Sequence, residues 1–315
     1  MTMGSYLVTG GAGFIGSSLA RALLARGERV RIIDNFSSGR RENMADFADR
    51  VELVEGDILD PAALRRAVEG VEVIFHEAAI PSVPKSMAEP LENHEANATG
   101  TLRVLHAARA AGARRLIYAA SSAAYGDDPT QPKVETMPPA PISPYGASKL
   151  AGEYYCQVYA SAYKFETVAL RYFNVFGPRQ DPASEYAAVI PKFITAALAG
   201  QTPRIFGDGK QSRDFCHIDN VIDANLRAAS APAAQVSGRV FNIACGVAVD
   251  LNQVVALIGD VIGRKVEARH EAERAGDIKH SLADIGEATR RLGYTAAVPF
   301  AEGLRRTVDW YKNKG

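Results

Sequence analysis

Short apolar runs alternate with stretches of helical periodicity along the first half of the chain. The apolar runs that favour strands lie at residues 6–8, 30–33, 51–54, 73–75, 116–118 and 168–170. Helical periodicity covers residues 14–26 and 91–111, and further helices are predicted to begin at Asp60-Pro61 and near Tyr145. Because nearly continuous apolar strands separated by helices belong to parallel sheets covered on both faces, the pattern predicts an α/β fold with a doubly wound parallel sheet of the Rossmann type.

The pattern becomes less regular after Asn174. Shorter apolar runs follow, together with a loop around residues 207–209 and several helical stretches. We therefore predict a main domain of residues 1–173, with returns to its sheet near residues 214–245. Residues 174–315 are predicted to form a smaller, interleaved α/β lobe.

Composition is that of an ordinary globular protein. Of the 315 residues, 47% are hydrophobic and 23% are charged, and 36 basic residues balance 36 acidic ones. A net charge of zero does not favour a nucleic-acid partner. No apolar run approaches the roughly 20 residues of a membrane span, and the N-terminus lacks a signal-peptide pattern, so we expect no membrane association and a cytoplasmic location.

The cysteines and histidines predict neither a disulfide nor a metal site. Cys156, Cys216 and Cys245 are widely spaced, and the six histidines form no ligand cluster with them. We expect reduced thiols and no bound metal.

A glycine-rich loop follows the first apolar run directly. Its residues are Gly10, Gly11, Ala12, Gly13, Phe14, Ile15 and Gly16, and they open a predicted helix. Small residues let the backbone approach a pyrophosphate, and the helix N-terminus offers unpaired N–H groups to the phosphates. The alternative is a tight strand–helix turn without a ligand, but the position in the first β-α unit of a long series favours a dinucleotide site.

Two acidic residues follow the second and third predicted strands. Asp34 ends the second, where a carboxylate accepts hydrogen bonds from the adenosine ribose and repels a 2′-phosphate, so NAD is predicted over NADP. The alternative is a turn cap beside Asn35 and Ser37. Asp57 and Ile58 lie just past the third strand, at the edge where the adenine is expected; a simple turn is the alternative.

A phenol and an ammonium lie one helical turn apart at Tyr145 and Lys149. A neighbouring cation lowers the pKa of a phenol, which suits Tyr145 for general-base catalysis. The spacing alone has little specificity. Its significance comes from Ser121 and Ser122, which directly follow the predicted strand at residues 116–120. They therefore lie at the carboxyl edge of the sheet, where ligands bind in open α/β folds. A strand-end turn is the alternative for this serine pair.

The combination of these motifs resembles the extended short-chain dehydrogenase/reductase family. The resemblance covers essentially the whole chain and continues through three later segments, at residues 171–178, 213–219 and 274–277. Together the motifs are fairly specific for UDP-sugar 4-epimerases within that family.

The resemblance implies a role for each matching residue. Tyr145 is the base, Lys149 holds the nicotinamide ribose, and Ser122, assisted by Ser121, hydrogen-bonds the reacting oxygen. The other residues implied for the cofactor are Gly10, Gly13, Phe14, Ile15, Gly16, Asp34, Asn35, Ser38, Gly39, Asp57, Ile58, Ala78, Ala79, Asn97 and Tyr172. Those implied for the UDP-sugar are Asn174, Ala188, Val189, Phe206, Arg213, Arg274 and Asp277. Surface ion pairs for the arginines and core packing for Phe206 are the alternatives.

Ala123 and Ala124 select the reaction within the family. Dehydratases and decarboxylases that resemble this chain carry carboxylates at these positions. Without a carboxylate, a 4-keto sugar formed by oxidation is simply reduced again, so we expect reversible C4 epimerisation with retained NAD. The rival functions are a UDP-glucuronate 4-epimerase, another NAD-dependent sugar-nucleotide oxidoreductase, and a non-enzymatic redox-sensing protein.

Substrate size is predicted from Ser281, which matches a position where epimerases restricted to plain hexoses carry tyrosine. A serine leaves room for an N-acetyl group, so we expect UDP-GlcNAc and UDP-GalNAc to be accepted, with UDP-Glc and UDP-Gal also possible. A strand-edge residue without contact to substrate is the alternative. Ser82 and Lys85 belong to a segment similar to a substrate-contacting loop of N-acetylhexosamine epimerases, whereas Ala123 replaces a serine common in that subgroup.

The family commonly dimerises through a four-helix interface. The corresponding helices here are those at residues 91–111 and 145–163. A homodimer is therefore expected.

Overall fold

A seven-stranded parallel sheet forms the centre of the computed structural model, which describes residues 4–182, 189–273 and 279–314. The strands, numbered in chain order, are β1 Ser5–Thr9, β2 Arg29–Asp34, β3 Glu52–Glu55, β4 Val73–His76, β5 Arg115–Ser121, β6 Glu166–Tyr172, β7 Val175–Phe176, β8 Arg204–Phe206, β9 Ser212–Asp214, β10 Cys216–His217, β11 Arg239–Ile243, β12 Ala248–Asp250 and β13 Arg269–Glu271. The order across the sheet is β11-β6-β5-β4-β1-β2-β3. The chain therefore reverses its direction of travel across the sheet between β1 and β4, which is where ligands bind in such folds.

The α-helices, also numbered in chain order, are α1 Phe14–Ala25, α2 Pro61–Val68, α3 Val83–Ala88, α4 Pro90–His94, α5 Gly100–Ala110, α6 Pro144–Tyr163, α7 Val189–Leu198, α8 Ile218–Ser230, α9 Ala233–Val236, α10 Leu251–Ile262, α11 Gly286–Leu292 and α12 Phe300–Lys314. A π-helical turn at Glu95–Thr99 joins α4 to α5, so the helix predicted at residues 91–111 is present with this interruption. Among the described residues, no helix is both long and apolar enough to span a bilayer.

Two hydrophobic cores cover the two faces of the sheet. Leu7 of β1 belongs to the core formed with α2, α5 and α6, whereas its neighbour Val8 packs with α1 and α8 on the other face. Successive strand residues point to opposite faces, so a strand buried on both sides reads as an apolar run. The predicted doubly wound α/β fold is confirmed.

A third core lies in the second half of the chain, where α7, α10 and α12 pack together. The ring of Phe300 packs against those of Phe176 and Phe215, with centroids 5.4 and 5.5 Å away. β11 pairs with β6 and returns the chain to the main sheet, in the region where a return was predicted. The division of the chain at residue 173 remains a prediction.

Candidate active site

The glycine loop between β1 and α1 is too tightly packed to accept larger residues. Gly10 has a φ of +66°, and a Cβ atom on it would lie 2.8 Å from the backbone nitrogen of Ala78. A Cβ on Gly16 would lie 2.2 Å from the Gly10 carbonyl oxygen. The N-terminus of α1, at Gly13, has no side-chain cap, so its N–H groups are available to phosphate oxygens. Phe14 and Ile15 begin the helix and are half-buried.

Asp34 joins the glycine loop to the segment after β2. One carboxylate oxygen accepts a hydrogen bond from the backbone N–H of Ala12, and the other accepts one from Phe36, both at 2.8 Å. A Cβ on Gly39 would lie 2.8 Å from the carboxylate, so only glycine fits beside it. Asp34 is thus both a turn cap, which was the alternative, and a carboxylate at the predicted ribose position.

The other residues predicted for the adenosine end surround this segment. Asn35 donates a side-chain hydrogen bond to Asp57 at 2.8 Å, which joins the loops after β2 and β3. Ser38 lies on the loop after β2 with Gly39, and Ile58 packs in the core that contains α2. Ala78 and Ala79 follow β4 and are half-buried.

Helix α6 positions the predicted catalytic pair. It begins with Pro144 at its first position, and the side chain of Ser143 caps it by accepting a hydrogen bond from Gly146 N at 3.1 Å. Lys149 is buried, and its Nζ donates to the carbonyl oxygen of Ala119 at 2.8 Å. The same ammonium lies 5.1 Å from the centroid of the Tyr118 ring.

The pKa of Tyr145 is shifted upward, not downward as predicted from Lys149. Burial raises the pKa of Tyr145, and the influence that lowers it is the hydrogen bond with Ser121. Burial is the largest influence on this phenol, and Lys149, whose ammonium donates to the Ala119 carbonyl, is not among the groups that shift its pKa. Burial itself lowers the pKa of Lys149 to about 8.

The structure separates the roles of the two serines at the end of β5. Ser121 is the last strand residue; it accepts a hydrogen bond from Ala123 N at 3.2 Å, and it is the side chain that lowers the pKa of Tyr145. Ser122 begins the short 3-10 helix Ser122–Tyr125. The family resemblance assigns the main role to Ser122, assisted by Ser121, and this assignment remains a prediction, whereas the serine that influences the pKa of Tyr145 is Ser121. The alternative of a strand-end turn is also realised by Ser121.

A buried polar chain that sequence reasoning missed runs beneath the catalytic pair. Thr101 donates to the Asn97 carbonyl at 2.5 Å, so its oxygen must accept from His76 Nε2 at 2.9 Å. His76 Nδ1 then accepts from Thr9 at 2.8 Å, and Thr9 accepts from Ala78 N at 3.1 Å. Burial, aided by the Lys149 ammonium, lowers the pKa of His76 to about 3. His76 is therefore a neutral, fully bonded link between β1, β4 and α5.

Glu77 was also missed. It directly follows β4, and its carboxylate accepts a hydrogen bond from the Tyr172 hydroxyl at 2.9 Å. The Tyr172 hydroxyl in turn accepts from Asn225 Nδ2 at 2.7 Å. Burial raises the pKa of Glu77 to about 7, opposed by Tyr172 and by Lys149. The sequence signal that could have identified Glu77 is the His-Glu pair that directly follows the apolar run at residues 73–75, at the carboxyl edge of the sheet.

The side chains of two predicted cofactor residues are committed to protein groups. Asn97 is buried; its amide accepts from Ile80 N at 2.8 Å and donates to Ile80 O at 3.1 Å and to Ser148 at 3.3 Å. Both ends of the Asn97 amide thus have protein partners, and its contact with a cofactor remains a prediction. The Tyr172 hydroxyl is similarly engaged, with Glu77 and Asn225.

A cavity of about 1250 Å³ lies beside the catalytic residues. It reaches Ala123 and Ser143, which are near neighbours of the catalytic serines and of Tyr145 in the chain. The residues predicted for the UDP-sugar that line it are Asn174, Val189, Phe206 and Arg213. Asn174 also donates to Asp214 O at 3.4 Å, and Arg213 donates to the carbonyls of Ser212 and Lys279. The structure thus brings together in one cavity the residues predicted for the nucleotide end that it describes.

Three predicted substrate residues are not among those that line the cavity, although Val83, Pro84 and Met87, in the same segment as Ser82 and Lys85, do line it. Ser82 caps α3 by accepting from Lys85 N at 3.0 Å. The Lys85 ammonium pairs with Glu92 at 3.0 Å and with Glu89 at 3.5 Å, both in the α3–α4 segment. Ser281 donates its backbone N–H to Ser212 O at 3.1 Å and is not among the described residues that line the cavity, which favours the strand-edge alternative. Ala188, Arg274 and Asp277 lie outside the described residues.

Two features define the class of protein. The parallel sheet carries a glycine loop at its reversal point, and a Ser-Tyr-Lys set lies beside a large cleft. Together they are typical of a dinucleotide-dependent enzyme of the short-chain dehydrogenase/reductase type. The model of the NAD dependent epimerase/dehydratase family matches residues 6–244. The chain belongs to this family.

The relatives share nearly the whole chain. A UDP-glucose 4-epimerase of Mycolicibacterium smegmatis is 41% identical over 312 residues, which is 98% of each chain. The solved UDP-N-acetylglucosamine 4-epimerase from Methanobrevibacter ruminantium M1, in complex with UDP-N-acetylmuramic acid, has a TM-score of 0.94 and 40% identity and covers 100% of both chains. The UDP-glucose 4-epimerase of Thermus thermophilus in complex with NAD has a TM-score of 0.89 and 34% identity, with 98% of this chain and 99% of that one covered.

The residues present fit NAD. The glycine loop offers a cradle that a Cβ at Gly10 or Gly16 would fill, and the Asp34 carboxylate lies against Gly39 where a 2′-phosphate would be repelled. The predicted family and NAD as cofactor are confirmed.

Proposed function

We propose that the protein catalyses reversible C4 epimerisation of UDP-hexoses and keeps NAD bound throughout the cycle. The observation that carries this proposal is the placement of Ser121 at the carboxyl end of β5 and of Tyr145 and Lys149 in the first turns of α6, next to Ala123 and Ser143 of the cavity. The relatives named above are 4-epimerases of UDP-sugars, which supports the same reaction. Residues 1–173, with returns near 214–245, form the NAD-binding domain in this proposal, and residues 174–315 form the UDP-sugar lobe.

The chain's own residues move and hold the proton. Tyr145 takes the proton from O4 of the sugar and later returns it from the opposite face of the ring. Ser121 donates a hydrogen bond to the reacting oxygen and keeps the Tyr145 phenol in place. Lys149 holds the nicotinamide ribose. NAD, when bound, supplies a reversible acceptor for the hydrogen at C4.

Ala123 and Ala124 determine that the oxidised sugar is reduced again. Ala123 lines the cavity and Ala124 is buried, so neither position offers a carboxylate for elimination or decarboxylation. The sugar must then turn about its anchored diphosphate before reduction. Asn174, Phe206 and Arg213 line the cavity where that anchor is proposed.

The substrate range includes N-acetylated sugars in this proposal. The cavity is large, and the small side chain of Ala123 leaves space at the catalytic end. The Methanobrevibacter relative was solved with UDP-N-acetylmuramic acid, a larger sugar nucleotide than a plain UDP-hexose. UDP-GlcNAc and UDP-GalNAc are thus proposed as accepted substrates, and UDP-Glc and UDP-Gal as further ones.

A homodimer is part of the proposal, formed through α4, α5 and α6. Leu91 of α4 is 81% exposed, and the exposed apolar residues of α6 include Tyr154, Val158 and Tyr163. The helices adjoin, because Ser148 of α6 bonds Asn93 of α4 at 3.0 Å. A partner's identical helices would cover this apolar surface. A cytoplasmic location is also proposed, in keeping with the three free thiols.

The test is a coupled assay of the purified protein on the four UDP-hexoses and on UDP-glucuronate. The bound nucleotide is identified after denaturation. We expect interconversion of the hexose pairs, NAD in the denatured supernatant, and no NADH released during turnover. Stoichiometric NADH release would instead indicate a net dehydrogenase, and turnover of UDP-glucuronate alone would indicate a uronate 4-epimerase.

A further inference from the structure

The first turn of α6 leaves one backbone donor without a partner in its own helix. The first N–H groups of an α-helix have no intrahelical acceptor. Pro144 has no N–H, and Gly146 N donates to the side chain of Ser143 at 3.1 Å. The N–H of Tyr145, the residue proposed to carry the proton, therefore needs an acceptor from another part of the fold.

Ser86 of α3 supplies this acceptor. Its side-chain oxygen accepts a hydrogen bond from Tyr145 N at 3.1 Å, across 59 residues of sequence. The Ser86 hydroxyl donates its own proton to the Val83 carbonyl at 2.7 Å, so towards Tyr145 its oxygen acts as the acceptor. Ser86 is fully buried, so losing this bond would leave a polar group unpaired in the interior.

The helix that carries Ser86 also forms part of the cavity wall. Val83 and Met87 of α3 line the cavity, whereas Ser86 lies in the interior, where α3 packs against α6. The side chain of Ser82 caps the N-terminus of α3 and so stabilises this short helix. A sugar nucleotide in the cavity would adjoin the same helix that holds the backbone of the catalytic tyrosine.

The carbonyl end of Tyr145 is bonded as well. Ser148 donates to the Tyr145 carbonyl at 2.9 Å, and it is joined to Asn93 of α4 at 3.0 Å and to Asn97 of the π-helical turn at 3.3 Å. Through Ser148 the carbonyl end of Tyr145 is thus connected to α4, whereas the bond to Ser86 connects its N–H end to α3.

We propose that Ser86 is a positioning residue whose hydroxyl fixes the backbone of Tyr145 against the α3 wall of the cavity. Proton transfer requires hydrogen-bond distance between the phenol and the sugar oxygen, so a small displacement of the phenol costs rate. Ser86 acts through Tyr145 and not on the sugar, so it should affect kcat more than substrate binding. The proposal rests on the role proposed above for Tyr145.

Amide exchange tests the bond directly and without turnover. Residues 144–145 are the single Pro-Tyr dipeptide of the sequence, so ¹³C at the proline carbonyl and ¹⁵N at tyrosine select the Tyr145 amide in the NMR spectrum. In the wild-type holoenzyme this amide should be protected, and in Ser86→Ala it should exchange at least about tenfold faster. Ser86→Thr keeps the hydroxyl and should retain the protection. An unprotected Tyr145 amide in the wild type, or equal protection in Ser86→Ala, would overturn the proposal.

Steady-state kinetics with UDP-GlcNAc test the consequence for catalysis. We expect Ser86→Ala to lower kcat about tenfold to a hundredfold and to change KM less than about threefold, because the α3 side chains that line the cavity are unaltered. Ser86→Thr should recover most of kcat.

Thr307→Val is the matched control for the kinetics. Thr307 is also buried and donates to a carbonyl of its own helix, Gly303 O at 2.7 Å, but it lies on α12. Its kcat should be that of the wild type. An equal loss of kcat in Thr307→Val would attribute the effect of Ser86→Ala to general loss of stability and refute the proposal.

The two experiments also distinguish this proposal from the proposed function. A wild-type chain that converts no UDP-sugar would reject the function, while the exchange rates of the Tyr145 amide would still decide whether Ser86 holds it. Faster exchange with a wild-type kcat in Ser86→Ala would mean that the bond exists but does not set the position of the phenol, which contradicts the proposal.

Discussion

Ser121, the last residue of β5, is the side chain that lowers the pKa of the buried Tyr145 phenol, whereas Ser122 begins the short 3-10 helix that follows the strand. We therefore predict different effects on kcat when each of the two hydroxyls is removed. Ser121→Ala should reduce kcat about a hundredfold, the cost of removing one donor aimed at a reacting oxygen. Ser122→Ala, the matched control, should change kcat much less. Steady-state kinetics with UDP-GlcNAc decides between them, and a larger loss for Ser122→Ala would return the main role to that residue.

Tyr145→Phe separates an enzyme from a redox-sensing binding protein. The phenylalanine keeps the ring but removes the group that carries the proton, so we expect kcat to fall at least about a hundredfold. NAD content should stay that of the wild type, because the cradle around Gly10 is untouched. Full activity in Tyr145→Phe would be incompatible with the proposed mechanism.

Asp34→Ala should weaken NAD binding and reduce discrimination against NADP. The carboxylate holds Ala12 N and Phe36 N, so its loss leaves two backbone donors without their acceptor and costs about 1–3 kcal/mol for each one that stays buried. Bound NAD after purification and calorimetric titration with both dinucleotides measure the effect. Asp49→Asn, an exposed residue of the same region, is the control. Unchanged NAD affinity in Asp34→Ala would place the ribose elsewhere.

Arg40 and Asp181 connect the loop after β2 to the segment after β7, with 2.5 Å between Nη2 and Oδ2. The pair crosses from the cofactor loop to the segment that precedes α7. Arg40→Ala should therefore speed NAD dissociation, though by roughly fivefold or less, because Arg40 is 53% exposed and surface ion pairs contribute little. Stopped-flow displacement of NAD at low and high salt checks this. An exchange rate equal to that of the wild type at low salt would contradict it.

His76 should make the fold sensitive to acid. Its pKa falls from an ordinary value of 6.5 to about 3 on burial, so the unfolded chain binds a proton that the folded chain excludes. The free energy of unfolding should therefore decrease as pH falls from 6.5 towards 3, with this group contributing about 1.4 kcal/mol per pH unit. Urea unfolding at several pH values should show a shallower slope in His76→Asn. Equal slopes would mean that other groups cause the acid sensitivity.

The local sequence pattern was sufficient to predict the central sheet and the cofactor loop. A strand such as β1 is apolar because both faces are buried, and Gly16 must be glycine because its neighbour is backbone; both constraints act within a few residues of sequence. Motif resemblance then located Tyr145 and Lys149.

Side-chain direction could not be predicted from the same pattern. Lys85 belongs to a segment that resembles a substrate loop, but its ammonium is satisfied by Glu89 and Glu92, one and two turns further along the chain. The Asn97 amide hydrogen-bonds the backbone of Ile80, and the sequence does not show this partner because only the tertiary fold brings the two residues together. The sign of the Tyr145 pKa shift likewise depends on the burial of the phenol, which is a property of the tertiary fold.

The seventh strand of the sheet, β11, comes from residues 239–243, after β7 to β10 have been made. During synthesis, β6 is thus left as an open edge until the whole stretch from Tyr172 to Arg239 has emerged. A fragment truncated after β6 would expose that apolar edge to intermolecular pairing, so the nucleotide-binding part is not separable as an N-terminal piece. Fusion or insertion designs must keep both halves of the chain in one polypeptide.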